Sequence, residues 1–267
     1  MSLKSVEETK IEITIQTYLI VLPGIFLAGL LDAIAGGGGL ISVPTYLAAG
    51  LPSHYVLGNN KFSSAPGTIL STLRYLKKGY IDKKIAITSA IFALLGSYLG
   101  TKTVLLLNPG FLRYVLVFLL PSIAIFTFVK KDVGLINNSH TIKLIPKFSL
   151  SILAGLLIGF YDGFFGPGTG SFLILIFSIL IKYDLVTANG NTKAVNSASN
   201  IAAMITFIIN GKILYTIGIP AIVCGLTGNY IGSNFVIDKG GKIIRPVMIF
   251  VLILLFFKIL YDLIKNS

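Results

Sequence analysis

The stretch "GLLDAIAGGGGLISVP" (Gly29–Pro44) places an aspartate and four consecutive glycines inside an otherwise apolar run. Glycine is a poor helix former, and a carboxylate in hydrocarbon costs several kcal/mol. The surroundings make the contrast sharper. The chain has 267 residues, and only 12% of them are charged, about half of what soluble domains carry. Mean hydropathy is +0.87. Apolar runs cover Ile13–Leu31, Ile85–Thr101, Phe111–Val129 and Ile243–Leu260, each long enough or nearly so to cross a bilayer as a helix. These features predict an all-α polytopic membrane protein.

The same pattern is written twice. "AGLLDAIAGGGGLISVP" (Ala28–Pro44) matches "IGFYDGFFGPGTGSFLI" (Ile158–Ile174), with Gly29, Asp32, Gly36 and Gly38 falling on Gly159, Asp162, Gly166 and Gly168 at an offset of 130. "GNNKFSSAPGT" (Gly58–Thr68) then matches "GNTKAVNSASN" (Gly190–Asn200) at an offset of 132. Gly96/Gly100 and Gly228/Gly232 keep that register. A second copy in mid-chain also argues against a signal peptide cleaved after Ala35, as do Glu7, Glu8 and Glu12 near the first run. The expected organisation is a single transmembrane domain over residues 1–267. It comprises a repeat at 13–131, a cytoplasmic linker at 132–147 and a repeat at 148–264.

Each copy divides into five apolar segments, a to e. Segment b (Leu40–Leu51, Ser171–Ile181) is long enough for only half a crossing. Segment c is expected to start near Asn60 and Thr192, d near Lys84 and Ile213, and e near Gly110 and Gly241. In the first copy the c–d connection is basic (Lys77, Lys78, Lys83, Lys84). In the second copy it is the d–e connection (Lys239, Lys242, Arg245), and the linker is basic too. The positive-inside rule then predicts two inverted-topology repeats, each a glycine-interrupted helix or hairpin plus three transmembrane helices. Both termini are expected outside the cytoplasm. Tyr18, Tyr75, Tyr80, Tyr114, Tyr215 and Tyr261 near segment ends are expected interface anchors. The net charge of +12 is accounted for by these loops and their lipid head groups and does not call for nucleic acid.

Inverted repeats with broken helices are a construction of secondary transporters, whose sites lie at mid-membrane. Bare backbone at the two glycine runs can turn sharply and face a ligand; Gly37, Gly38, Gly168 and Thr169 are the candidates. A packing hinge is the plainer alternative. Neither run continues into the Lys-Ser/Thr of a nucleotide-binding P-loop. Asp32 and Asp162 each precede a break by four residues. They can carry a coupling proton, bind a cation, pair with a lysine, or accept bonds from the loop amides.

In "GNNK" and "GNTK" the Asn and Thr are read as caps, so that Lys61 and Lys193 fall in the first turn of segment c. Lys61 then shares a face with Ser64 and Thr68, and Lys193 with Asn196 and Asn200, with Asn60 and Asn191 alongside. A lysine at a helix N-terminus is misplaced unless an anion joins it. Snorkelling to head groups is the alternative. Gly96/Gly100 and Gly228/Gly232 read as small-xxx-small packing pairs. Cys224, the single cysteine, gives no disulfide, and His54 and His140 stand apart. Metal, cofactor and nucleophile motifs are missing from the sequence, which argues against an enzyme.

On the residues "DAIAGGGGLISVP", "GFYDGFFGPGTGSF", "NNK" and "NTK" the chain resembles the TauE/SafE family of sulfite and organosulfonate exporters, and within it the YfcA-like bacterial inner-membrane proteins. The likeness extends from about Gly24 to Asp262. It implies a multi-pass permease of the prokaryotic cytoplasmic membrane that exports a small sulfur-containing anion, driven by an ion gradient. Expected partners are that anion, a coupling proton or cation, membrane lipid and a second copy in a homodimer. An anion channel, or a carrier of another small organic anion, is the alternative.

Overall fold

In the computed structural model, residues 13–107, 134–250 and 253 are described. Among them the secondary structure is helical, with no strand. The first copy contains α1 (Ile15–Ala35), α2 (Gly39–Ala48), α3 (Ser53–Lys77) and α4 (Lys83–Leu106). The second contains α5 (Leu144–Phe164), α6 (Thr169–Leu180), α7 (Leu185–Ile209) and α8 (Tyr215–Lys239), with residues 241–250 also helical. Segment e of the first copy falls outside the described residues. By length and composition α1, α4 and α5 can each cross a membrane.

The breaks lie where the glycines are. Thr14 and Thr17 form a capping box that starts α1. The helix stops at Gly36, whose φ of 73° is left-handed and whose N–H returns to Asp32 O at 2.8 Å. In the second copy Gly166 and Gly168 adopt φ of 97° and 83°. After its break α2 doubles back along α1, so that Gly38 lies against Ala28 O and Gly24 against Thr45. At 10 residues, α2 is about 15 Å long, about half of a hydrocarbon core. Segment b is therefore the returning arm of a hairpin.

Segment c departs from expectation. α3 begins at Ser53 after Pro52, and α7 at Leu185, where Asp184 Oδ1 accepts from the Val186 and Thr187 amides. Lys61 and Lys193 thus sit two turns inside their helices, away from the positive end of the dipole. The asparagines do not cap. Asn59 and Asn191 donate to the carbonyls one turn back, Tyr55 O and Thr187 O, both at 2.8 Å. Gly58 and Gly190 lack a side chain because the Lys212 and Tyr80 carbonyls press against them.

The copies are interleaved. The most extensive helix contacts join α4 to α5 and α1 to α8. Gly96 and Gly100 pack on the Leu156 and Phe160 carbonyls, and Gly228 and Gly232 on those of Phe26 and Leu30. α1 and α8 run side by side in one direction, as Tyr18 OH to Thr216 O at 3.2 Å and the Phe26–Gly228 contact require. α3 runs with them, linked by Ser71 Oγ to Asn229 Oδ1 at 3.0 Å. α7 crosses α3 the opposite way, since Lys61 meets Asn200 whereas Tyr75 meets Asn189. α4 and α5 follow α7, through Ser97 Oγ to Ser199 O and Gly155 against Ser89 O. Matched helices of the two copies therefore run in opposite directions.

Basic connections gather at one end of the bundle. Tyr183 beside Lys182 donates to Asp82 beside Lys83, Leu185 N donates to Gly134 O, and Lys147 lies over the Tyr183 ring. Aliphatic residues on the outer faces of α1, α4, α5 and α8, such as Leu19, Ile91, Leu157 and Val223, are exposed. Tyr215 is exposed among them, but Tyr75 is not an interface anchor: it is fully buried, and its hydroxyl donates to Ala33 O. Tyr114 and Tyr261 fall outside the described residues.

Candidate functional site

A helix broken inside a bilayer leaves its last carbonyls without partners, and in hydrocarbon these must be supplied. At the end of α1 the supply comes from other elements. Asn189 Nδ2 donates to Ala33 O at 3.0 Å and Ile34 O at 2.9 Å, and Ser171 Oγ to Ala35 O at 2.7 Å. Lys193 Nζ reaches Asp32 O. The two glycine loops meet directly: a Cβ on Gly36 would lie 2.3 Å from the Gly170 backbone, and one on Gly39 2.9 Å from Pro167 Cα. Only bare backbone fits there.

Around this junction the four charged residues pair across the copies. Lys61 Nζ on α3 lies 2.7 Å from Asp162 Oδ1 on α5, and Lys193 Nζ on α7 lies 3.0 Å from Asp32 Oδ2 on α1. Both pairs are buried, with side-chain exposures of 3% and 5% in the first and 0% and 15% in the second. Of the roles open to the aspartates, pairing with lysine is therefore realised. A buried charge is strongly unfavourable unless it is matched, so each copy depends on the other to neutralise it. The four formal charges sum to zero.

A small polar cavity of about 20 Å³, room for a water-sized group, opens beside the pairs. Asp32, Lys61 and Asp162 supply charge to its lining, while Asn60, Ser64, Asn196 and Asn200 supply amides and a hydroxyl. Asn200 Oδ1 accepts from Lys61 at 2.9 Å, and Asn60 Oδ1 accepts from Ser42. Asn196 Oδ1 is buried and finds no partner among the described residues. From the loops, Gly36, Gly39, Gly166, Thr169 and Gly170 line the space.

Other singled-out residues stand farther back. Lys193 is fully buried behind Asp32. Thr68 is one hydrogen bond away, accepting from Asn200 Nδ2 at 3.5 Å, and Asn191 turns to its own helix. Gly38 packs against Asp32 Cβ and Gly168 against the Phe172 ring. Gly37 accepts the Leu40 amide at 3.0 Å as part of the turn. Arg74 bonds Asn234 and lies 4.1 Å over the Tyr230 ring.

Sequence reasoning missed Ser199, Ser42 and Asn189. Ser199 Oγ donates to Asp162 Oδ2. The polar run "NSASN" (Asn196–Asn200) carried the signal, since Ser199 lies one turn after Asn196. Nothing local marked Asn189, whose partners lie more than a hundred residues away.

Comparison with known proteins agrees with this architecture. Residues 21–259 match the family described as Sulfite exporter TauE/SafE. A probable membrane transporter protein, ORF9 of Sinorhizobium sp, is 35% identical over 237 residues, covering 89% of this chain and 90% of the relative. The probable membrane transporter protein YfcA of Escherichia coli (strain K12) is 33% identical over 236 residues, covering 88% and 87%. YdhB of Bacillus subtilis (strain 168), also a probable membrane transporter protein, is 23% identical over 223 residues, covering 81% and 89%. No solved structure matches. With helices fit to cross a bilayer and a buried, charge-matched centre, the chain belongs to the TauE/SafE family of membrane transporters.

Proposed function

We propose that the chain is a secondary transporter exporting a small sulfur-containing anion, such as sulfite, sulfoacetate or another organosulfonate, across a bacterial cytoplasmic membrane. The observation that carries this is the pair of ion pairs crossing between the copies beside a polar cavity. An oxyanion in that cavity meets the Lys61 ammonium, the Ser64 hydroxyl and the Asn60 and Asn200 amides. The cluster is neutral when empty, so an anion entering alone leaves net buried charge. A cation must accompany it or a carboxylate must be displaced, which is a physical basis for coupling to an ion gradient.

The copies act as inverted-topology repeats, and the basic end of the bundle is the cytoplasmic end, with the start of α1 on the opposite side; the chain termini themselves lie outside the described residues. Movement of one copy against the other about the glycine loops alternates access to the cavity.

The test uses purified full-length chain in proteoliposomes. Wild type takes up labelled sulfite or taurine with saturation and counterflow, whereas Lys61→Ala and Lys193→Ala reduce the flux sharply. Unchanged flux in both variants rejects the site, and flux without counterflow or saturation rejects the carrier mechanism.

A further inference from the structure

The two ion pairs repeat in sequence but not in surroundings. Both oxygens of Asp162 are engaged: Oδ1 accepts from Lys61 and lies 2.9 Å from Thr169 Oγ1, whose one hydrogen it shares with Gly166 O at 2.6 Å, and Oδ2 accepts from Ser199 Oγ. The register that aligns the copies places Gly39 where Thr169 stands and Gly67 where Ser199 stands. Both hydroxyls are missing around Asp32, whose Oδ2 meets Lys193 while no described residue donates to its Oδ1. Its side chain is 15% exposed, against 5% for Asp162. It also borders two spaces, the main cavity and a second one lined by Ala28, Ser42, Ser63 and Asn229.

Deepening the transport reading, on which it rests, we infer that Asp32 is the carboxylate that takes up the coupling proton, while Asp162–Lys61 is a static clamp. The step is simple: a proton from the aqueous side bonds to Asp32 Oδ1, the carboxylate becomes a neutral acid, and the Lys193 ammonium is left without its counter-ion. The cluster then carries one net positive charge, which one monovalent anion restores to zero. Proton and anion therefore bind together. At Asp162 both oxygens are already occupied, by the Lys61 ammonium and the Ser199 hydroxyl, so no oxygen is open to an incoming proton.

The groups facing Asp32 are Lys193 from α7, Lys61 from α3 and Asp162 from α5 across the cavity, the Tyr75 hydroxyl from α3 and, beyond Ser63, Tyr46 from α2. α8 contributes the uncharged Asn229.

Two measurements on the purified full-length chain test this. Infrared difference spectra on acidification should show, apart from the bands of exposed acids that every variant shares, one band from a buried protonated carboxyl that is lost in Asp32→Asn and kept in Asp162→Asn. The double variant Thr169→Val/Ser199→Ala should add a second band, a result that decides the matter even where an aspartate variant does not fold. Ethanesulfonate, whose charge is constant with pH, should bind wild type about tenfold more tightly per pH unit lowered and bind Asp32→Asn without pH dependence.

A buried-carboxyl band that survives Asp32→Asn, or a double variant that adds none, overturns the inference. So does ethanesulfonate binding that follows sodium at fixed pH. Absence of ethanesulfonate, sulfite and taurine binding in wild type would overturn the anion reading above, and the infrared bands would still decide the role of Asp32.

Discussion

The break after α1 and the break after α5 follow one plan and are finished differently. At the first, side chains from elsewhere hold the backbone: Lys193, Asn189, Tyr75 and Ser171 take the last carbonyls, while the Asp32 carboxylate has a single partner. At the second, side chains hold the carboxylate, since Lys61, Thr169 and Ser199 all bind Asp162. Of its late carbonyls, Gly163 O is taken by Thr101 Oγ1 at 3.1 Å. One copy has a loop braced by the other half and an acid paired with lysine alone; the other has a more fully bonded acid and a loop held by its own Tyr161 and Thr169 hydroxyls.

The largest expected effect tests this contrast directly. Lys61→Ala strands Asp162 with 5% exposure, and leaving a buried charge unpaired costs about 3–5 kcal/mol. Lys193→Ala strands Asp32, whose side chain is 15% exposed and borders a second space that Asp162 does not reach, so water can solvate it and the loss of stability should be clearly smaller. Thermal unfolding of the two variants in detergent reads the difference. Equal losses would mean that the pairs are equivalent after all.

Replacing both partners sharpens the same point. Lys61→Met with Asp162→Leu leaves no buried charge, and such exchanges are often close to neutral in stability. The double variant should therefore unfold within about 1 kcal/mol of wild type and yet transport nothing. Retained flux would reduce Lys61–Asp162 to scaffolding.

How far this was legible beforehand depends on sequence separation. The constant register of Asp32 with Asp162 and of Lys61 with Lys193 revealed four equivalent charged positions. The glycine runs gave the ends of α1 and α5 to within a residue, because a left-handed turn needs a residue without Cβ. The start of α3 was misread since "GNNK" offers residues that cap as readily as they back-bond. Choosing between the two depends on Lys212 O pressing on Gly58 from the other copy. The ion pairs were equally hidden. Asp32 and Lys61 are near in sequence and of opposite charge, yet each is claimed by the other half. No local pattern encodes which partner a long side chain will find across a bundle.

The smaller effects concern the backbone at the breaks. Asn189→Leu keeps the volume and removes donors from both Ala33 O and Ile34 O. An unsatisfied buried acceptor costs about 1–3 kcal/mol, and Tyr75 still serves Ala33. The loss should fall in that range and appear as faster amide exchange at residues 33–38. Thr101→Val removes one donor from Gly163 O and should cost about 0.5–1.5 kcal/mol, the usual worth of a single neutral bond. Exchange around Gly166 should rise only slightly, because that loop already depends less on outside donors. If Thr101→Val proved the more damaging, the second loop would be the braced one. Asp162 and Asp32 would then have to trade the roles assigned to them.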